Sequence, residues 1–583
     1  MRRKLTTRTF AAAIVMAGLA VGGLAAAAGS AAATAKPGGT WGVAAQISAT
    51  MDKAAYPGIG SLSCTAAGDC TGVSARYAVT EKNGVWSAAQ TIPGTPGAIR
   101  PHPVIDCASP GNCVVAGGYA TGKSTYKAFI AAQVNGSWRK AQPIGDRALA
   151  GRVSDVATTL SCPTAGNCTA AGEYTTKSGT SAFTVAEVRG TWQAAKTLPG
   201  IARFAGAKSG SATVTSLSCA TVGYCAVAGS YLNTATKATT AFVASETSGN
   251  WAAARQIPGL ASVGSGDSTV AMVSCGQVRY CLAGGSVGKV AFIASQVSGT
   301  WLNATTVPGL AALGSENANP LAFQASHVAA VSCSAGTDCA VAGGYNDVDE
   351  IGANGVSVFA ASETAGVWTD ATQIAGLGNS DGDQGDDAAV HALTCTSTGN
   401  CVMGGSFVET PVSVAFVASS ANGTWADATL VPMPARITGL DYSEVDALSC
   451  PSAGHCGAAI YGAVVDETPS LSPNYQYMDN EANATTAGLT LTKTKIVYGH
   501  ENAERISVTV TSPAGTPPGT VRVTANSNQI TICTITLKSG KGSCTLSQKQ
   551  LKPNYSYSLA GTYLGAASFA SSVSNAETVG VNK

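Results

Sequence analysis

The chain has 583 residues, of which 45% are hydrophobic and only 11% are charged, with a formal net charge of +1. So weak and balanced a charge excludes a basic surface for nucleic acid and an acidic solvating tail, while the apolar fraction is ample for a packed core.

At the N-terminus Arg2, Arg3, Lys4 and Arg8 precede an apolar run from Phe10 to about Ala28, and Ala33-Thr34-Ala35 forms a small-x-small cleavage site. Residues 1–35 are therefore expected to be a secretory signal peptide. No second apolar stretch is long enough to cross a membrane as a helix. The mature chain is expected to be secreted and extracellular, with no transmembrane segment.

From there one phrase recurs, Cys-x5-Cys behind a short apolar run. The pairs are Cys64/Cys70, Cys107/Cys113, Cys162/Cys168, Cys219/Cys225, Cys275/Cys281, Cys333/Cys339, Cys395/Cys401 and Cys450/Cys456. Cysteines in even pairs at regular spacing fit an oxidising compartment. Structural zinc fails, since each repeat offers two Cys and no regular His. Gly68, Gly111, Gly166, Gly223, Gly399 and Gly454 each stand four residues after the first Cys, where a tight loop uses a left-handed residue. Cysteines bracketing such a loop sit across from each other, so eight local disulfides are expected, each contributing about 2 kcal/mol.

A second landmark is Gly-x-Trp. Trp86, Trp138, Trp192, Trp251, Trp301, Trp368 and Trp425 each follow an aromatic by nine residues (Tyr77, Phe129, Phe183, Phe242, Phe292, Phe359, Phe416). Asn-Gly or its equivalent before each Trp predicts a type I′ hairpin. With Ser248-Gly249 as the turn, Glu246 opposes Trp251, Ala244 opposes Ala253, and Phe242 opposes Arg255. Phe242, Ala244, Trp251 and Ala253 then share one face.

Each repeat thus reads as four antiparallel strands recurring about every 55 residues, the pattern of a β-propeller blade. Trp41 precedes the first Cys pair, whereas no Trp follows the last. In the last repeat Ala458–Val464 is expected as the second strand and Tyr475–Met478 as the third. The segment from Gly39 to Ala45 would supply the missing outer strand, removing free sheet edges. The fold class expected is all-β: an eight-bladed propeller over residues 36–482, closed by an N-terminal strand. A β-solenoid would not need matched half-units at its two ends.

The turn Ser245-Glu246-Thr247-Ser248-Gly249-Asn250-Trp251 resembles the Asp-box of sialidase-like propellers, Ser-x-Asp-x-Gly-x-Thr-Trp, but is one residue shorter and lacks the Asp. The resemblance implies blade architecture and carries no sialidase activity. The whole Ser-Cys-x-x-x-Gly-x-Cys plus Gly-x-Trp unit resembles repeats of secreted bacterial proteins. Beyond about Asn483 short alternating strands predict a β-sandwich over residues 483–583. There Val497-Tyr498-Gly499, Gly519-Thr520-Val521 and Gly561-Thr562-Tyr563-Leu564-Gly565 resemble the bacterial Ig-like repeat domain, which implies a spacer. Ala566 stands where that family has Asp. Cys533 and Cys544 flank a hairpin and are expected to pair.

Chemistry is sparse. Gly117 to Ser124 fits a P-loop expression but leads into a strand rather than a helix, so it reads as a chance match. Asp381, Asp383, Asp386 and Asp387 form either a Ca²⁺ cage or a solvated acidic loop, and Asn346 to Glu350 is a weaker counterpart on the same face. No other cofactor has candidate ligands. His391 and Asp446 occupy matching registers in adjacent repeats, as a catalytic pair or as ordinary rim residues. The tryptophans stack on sugars or pack the core. Variable loops on a rigid scaffold are where binding is normally placed. The reading is a non-catalytic binding or adhesion protein whose partner is a glycan or a cell-surface protein. A polysaccharide hydrolase or lyase with its site at the channel mouth is the alternative.

Overall fold

The computed structural model describes residues 40–41, 45–46, 58–95, 99, 103–122, 125–144, 149, 152–205, 210–233, 236–313, 325–348, 354–377, 387–409, 412–431, 443–460, 463–468, 485–512, 515–525, 530–563 and 572–583. Residues 1–35, for which a signal peptide is expected, Asp381, Asp383, Asp386 and the stretch Tyr475–Met478 lie outside them. The chain is all-β and divides into two compact units, Met1–Ser470 and Leu471–Lys583. Among the described residues no helix is long and apolar enough to cross a membrane.

In the first unit each Cys repeat builds three antiparallel strands and a broken outer one. In the fifth repeat these are Ser268–Gln277, Tyr280–Val287 and Val290–Val297, with the outer pieces Thr300–Trp301 and Thr305–Thr306. Ser298 and Gly299 between the third and outer strands have φ of 51° and 84°, the positive pair that a type I′ turn demands.

The Cys-x5-Cys pairs are all disulfides: Cys64–Cys70, Cys107–Cys113, Cys162–Cys168, Cys219–Cys225, Cys275–Cys281, Cys333–Cys339, Cys395–Cys401 and Cys450–Cys456. Their Cα atoms stand 3.9–4.1 Å apart across the first hairpin. Cys533–Cys544 is the ninth bridge, and no described cysteine is free. The sequence singled these cysteines out as structural disulfides, and all nine pairs are bonded in that way. Cys225, Cys281, Cys339, Cys401 and Cys456 are only 3–4% exposed, as second-strand residues covered by the neighbouring sheet. Cys225, Cys281, Cys339 and Cys401 each belong to an apolar cluster that spans adjacent repeats. With both sulfurs bonded and buried, these residues staple the core and offer nothing to a ligand or metal.

The outer strand departs from the simple count. Glu246 opposes Trp251 as expected, but Arg255 faces Val243, and Phe242 faces Gln256. One extra residue separates the two outer pieces. Its effect is to turn a backbone donor toward the preceding repeat: Ala254 N–H reaches the Pro199 carbonyl at 2.7 Å, and Ala304 N–H reaches Pro258 at 2.8 Å. The bulge is thus the means by which adjacent sheets are tied at their outer ends.

On the first strand the residue before the first Cys of the pair likewise ties adjacent repeats. Ser63 Oγ accepts from Cys107 N–H, Asp106 from Cys162, Ser161 from Cys219, Ser218 from Cys275, Ser274 from Cys333, and Ser332 from Cys395, at 2.7–3.1 Å. The series then returns to its start, because Ser449 Oγ of the last repeat accepts from Cys64 N–H at 2.9 Å. Each side-chain oxygen satisfies a backbone donor of the adjacent sheet. Leu62, Cys64 and Cys70 share a core cluster with Ala459 and Val464, so first and last sheets pack as neighbours.

The last sheet is completed from the N-terminus. Trp41 pairs with Glu467 and Thr40 with Thr468, and Ala45 pairs with Val464. The second and third strands of this repeat are His455–Ile460 and Ala463–Thr468, not Ala458–Val464 and Tyr475–Met478. The apolar run continues in sequence past Ile460 to Val464, so counting along it alone carries the second strand too far.

Phe129, Phe183, Phe242, Phe292, Phe359 and Phe416 are fully buried, each opposite a glycine of the second strand. A Cβ on Gly285 would stand 2.0 Å from the Thr269 carbonyl oxygen, at a bulge in the first strand. Gly285→Ala is expected to cost about 3 kcal/mol in denaturant unfolding, the upper end for overpacking. An unchanged midpoint would show that this backbone yields.

In the second unit a three-stranded sheet (Thr486–Leu491, Arg505–Thr511, Lys541–Thr545) and a six-stranded sheet share one core that includes Ile506, Val523, Leu559 and Val579. Cys533 and Cys544 do not flank a hairpin within one sheet. Ile530–Thr536 belongs to the larger sheet, and the disulfide ties it to the smaller.

Candidate binding clefts

The residue opposite each outer-strand tryptophan is polar and buried: Glu81, Gln133, Glu187, Glu246, Gln296, Glu363 and Ser420. These groups lie where neighbouring sheets meet, and each needs a hydrogen-bond partner there. In the fifth repeat the partner is a hydroxyl. Ser245 of the fourth repeat accepts from Trp301 Nε1 at 3.0 Å and from Gln296 Nε2 at 2.7 Å, and Trp301 is only 4% exposed. Glu363 is closed off differently, by the Tyr280 hydroxyl donating at 2.7 Å. Ser245→Ala is expected to cost about 1–3 kcal/mol in urea unfolding by leaving the indole N–H unpaired. In a Trp301→Phe background the same change should cost less, and an equal loss there would contradict this pairing.

Ser245 has equivalents in every repeat: Thr80, Ala132, Ala186, Ser295, Ser362, Ser419 and Asp466. The two alanines supply no oxygen. A cleft of about 800 Å³ opens where Ala132 and Trp192 line the junction of the second and third sheets. Another, of about 210 Å³, opens where Ala186 and Trp251 line the junction of the third and fourth. A third of about 390 Å³ lies between the first and second sheets. Gln133 borders the first-second and second-third clefts, and Glu187 borders the second-third and third-fourth.

Within the 800 Å³ cleft Gln133 Oε1, Glu187 Oε2 and Trp192 Nε1 are buried without a hydrogen-bond partner among the described residues. Burial pushes the Glu187 carboxyl above its ordinary range, and Glu246 likewise, with Lys196 opposing the latter. Arg139, Lys140 and Arg189 stand exposed along the same cleft. The arrangement offers acceptors, an indole donor and cationic donors, the set that recognises a polyhydroxylated ligand.

At the junction of first and last sheets Asp466 replaces the hydroxyl. Its carboxylate and that of Glu81 lie within 4.8 Å of each other. Burial, followed by the Asp466 and Asp69 charges, raises the Glu81 carboxyl to about 7. Burial raises Asp466 as well. Cys70 lies in the same group but is committed to its disulfide, so it is no third metal ligand.

Of the residues singled out from sequence, Asp387 is exposed and its backbone bridges Val356. His391 shares a hydrogen bond with Ser406 Oγ at 3.0 Å, and the carboxylate beside it is Glu444 at 3.5 Å. Asp446 lies two residues on, in the strand Val445–Ser452. Gly117 sits within the strand Asn112–Ala120, and the next element is the strand Tyr126–Val134 rather than a helix. The buried acids opposite the tryptophans and the Ala132/Ala186 gaps were missed. Their signal was present, since aligning the repeats on Trp exposes both columns.

No protein-family model and no curated protein sequence matches the chain. Similar solved structures include the GH74 xyloglucanase from Xanthomonas campestris, at 10% identity and TM-score 0.34, covering 79% of this chain and 58% of that one. The α-L-arabinanase of Penicillium chrysogenum is similar at 11% identity and TM-score 0.32, covering 52% and 94%. The six-bladed lectin of Aleuria aurantia is similar at 11% and 0.26, covering 55% and 95%. The chain spans 58% of the length of the xyloglucanase. These neighbours are β-propeller proteins.

Proposed function

We propose that this chain is an exported, non-catalytic carbohydrate-binding protein. It is an eight-bladed β-propeller completed by its own N-terminal strand, followed by an Ig-like sandwich that serves as spacer. The observation that carries this reading is the cleft between the second and third sheets, where Gln133, Glu187 and Trp192 present unpaired polar atoms beside three exposed cations. Hydroxyl groups of a sugar answer both donors and acceptors, whereas an apolar ligand would leave them unpaired. Nine disulfides support an oxidising, extracellular setting.

A glycan array on the secreted protein, run beside a reducing-sugar release assay, tests the reading. Binding without release is expected, and it is lost in Trp192→Ala. Sustained release that depends on His391 or Glu444 would replace it with the hydrolase reading. Absence of any glycan signal would remove it.

A further inference from the structure

The repeat provides its own control, because each position can be compared across repeats of one chain. Four departures from the common pattern meet at one junction. Ala132 stands where the fourth repeat has Ser245, whose hydroxyl accepts from Trp301. Arg139 and Lys140 follow Trp138, where the other described repeats place Ser87-Ala88, Gln193-Ala194, Ala252-Ala253, Leu302-Asn303, Thr369-Asp370 and Ala426-Asp427. Arg189 occupies the first central position of its type I′ turn at φ 49°, where Asn83, Asn135, Ser248, Ser298, Ala365 and Asn422 stand in the others. Asn tolerates that left-handed conformation better than a long side chain. All four line the 800 Å³ cleft.

None of Arg139, Lys140 and Arg189 is held in an ion pair among the described residues. They are three exposed cations, without an ion-pair partner among the described residues, at the mouth of a cleft whose floor carries sugar-type hydrogen-bonding groups. We propose that this cleft takes an acidic sugar residue within a polysaccharide, the uronate carboxylate held by Arg139, Lys140 and Arg189 and the ring hydroxyls by Gln133, Glu187 and Trp192. Guanidinium groups grip a planar carboxylate through paired N–H bonds. The cleft between the third and fourth sheets shares Glu187, so the next residue of the same chain is received there. A nucleic acid is disfavoured, because the chain's net charge is only +1 and a carboxyl group lies on the cleft floor.

This inference rests on the carbohydrate reading and is tested so that the two fail separately. Full-length secreted protein is titrated calorimetrically with short oligogalacturonates and oligomannuronates, with neutral cello- and xylo-oligomers, and with inorganic polyphosphate, at low and high salt. Uronates are expected to bind, more weakly at high salt, and more tightly as the oligomer lengthens from one residue to two. Arg189→Asn restores the residue used by sister turns, so it folds. It and Arg139→Gln are each expected to lower uronate affinity about tenfold while leaving the melting temperature unchanged. Neutral oligomers binding as tightly as uronates, or arginine variants with unaltered affinity, would overturn the acidic-sugar assignment and leave carbohydrate binding standing. Polyphosphate binding without uronate binding also overturns it. No binding to either sugar series defeats both.

Discussion

Removing residues 36–46, which carry the strand pieces Thr40–Trp41 and Ala45–Gln46, is expected to abolish the cooperative melt of the first unit and to drive self-association. The last sheet would lose the partner of Ala463–Thr468, leaving that strand's N–H and C=O groups as an open edge. Trp41 packs against a cluster that includes Val417, Val431, Val445, Ile460 and Val465. Losing the indole alone, in Trp41→Ala, is expected to cost about 3–5 kcal/mol. Calorimetry with light scattering checks both variants. The transition of the C-terminal unit should be unmoved, and superimposable melts of truncated and intact chains would show that the terminus completes nothing.

The second large effect is on pH. Burial raises the carboxyls of Glu81, Asp106, Glu173, Glu187, Glu246, Glu363 and Asp466 above their ordinary range. Glu81 and Glu173 reach about 7 from 4.5. A carboxyl with a raised folded-state value binds its proton more tightly when folded. Below about 4.5 it is neutral in both states and carries no penalty. As pH climbs through 4.5 to 7 the unfolded chain ionises first, and stability falls. At about 1.4 kcal/mol per pKa unit, and allowing for solvent screening at the sheet junctions, the loss is about 2 kcal/mol for each of these two groups. His327 acts in the opposite sense, since burial lowers it and charging it in acid costs stability below its ordinary 6.5. Asp338, lowered by the Ala365 N–H and the Thr398 hydroxyl, loses its contribution only below its ordinary 3.8. Seven groups against two set the balance, so denaturant midpoints should peak near pH ~5 and decline toward pH ~8. Glu81→Gln should stabilise the protein at the alkaline end of that range and leave it unchanged at the acid end. A variant whose curve runs parallel to the parent would assign the effect elsewhere.

Much of this architecture was legible because each signal is local and repeated. Cys-x5-Cys predicts a cross-strand disulfide, Asn-Gly-x-Trp predicts a type I′ turn, and the unpaired Trp41 predicts where the last sheet finds its outer strand. What escaped depends on the neighbouring sheet. The Ser of Leu-Ser-Cys was visible, but its role as acceptor for the next repeat's Cys N–H exists only after sheets are placed side by side. The bulge before Ala254 answers the Pro199 carbonyl of another repeat, so strand counting within one repeat misses it. The pairing of Cys281 with Cys275 was readable from spacing, whereas its near-complete burial depends on the sheet packed over it. Glu187 shares the strand face of Phe183 and Val185, yet a carboxylate at a strand end reads as solvent-facing until the adjacent sheet is seen to cover it. The acidic loop and the His391 register were the conspicuous sites in sequence. The clefts were inconspicuous: two lie where alanine stands at the Ser245 position, and the third keeps Thr80 there.

The whole account requires that the chain's beginning be stitched into its last sheet. Cysteines placed at Thr40→Cys and Thr468→Cys, whose Cα positions face each other across that pairing, should form a tenth disulfide in the secreted protein. Mass spectrometry of the unreduced digest would then show the peptide holding position 40 joined to the one holding position 468. Both new thiols remaining free, with the nine native bridges intact, would contradict it.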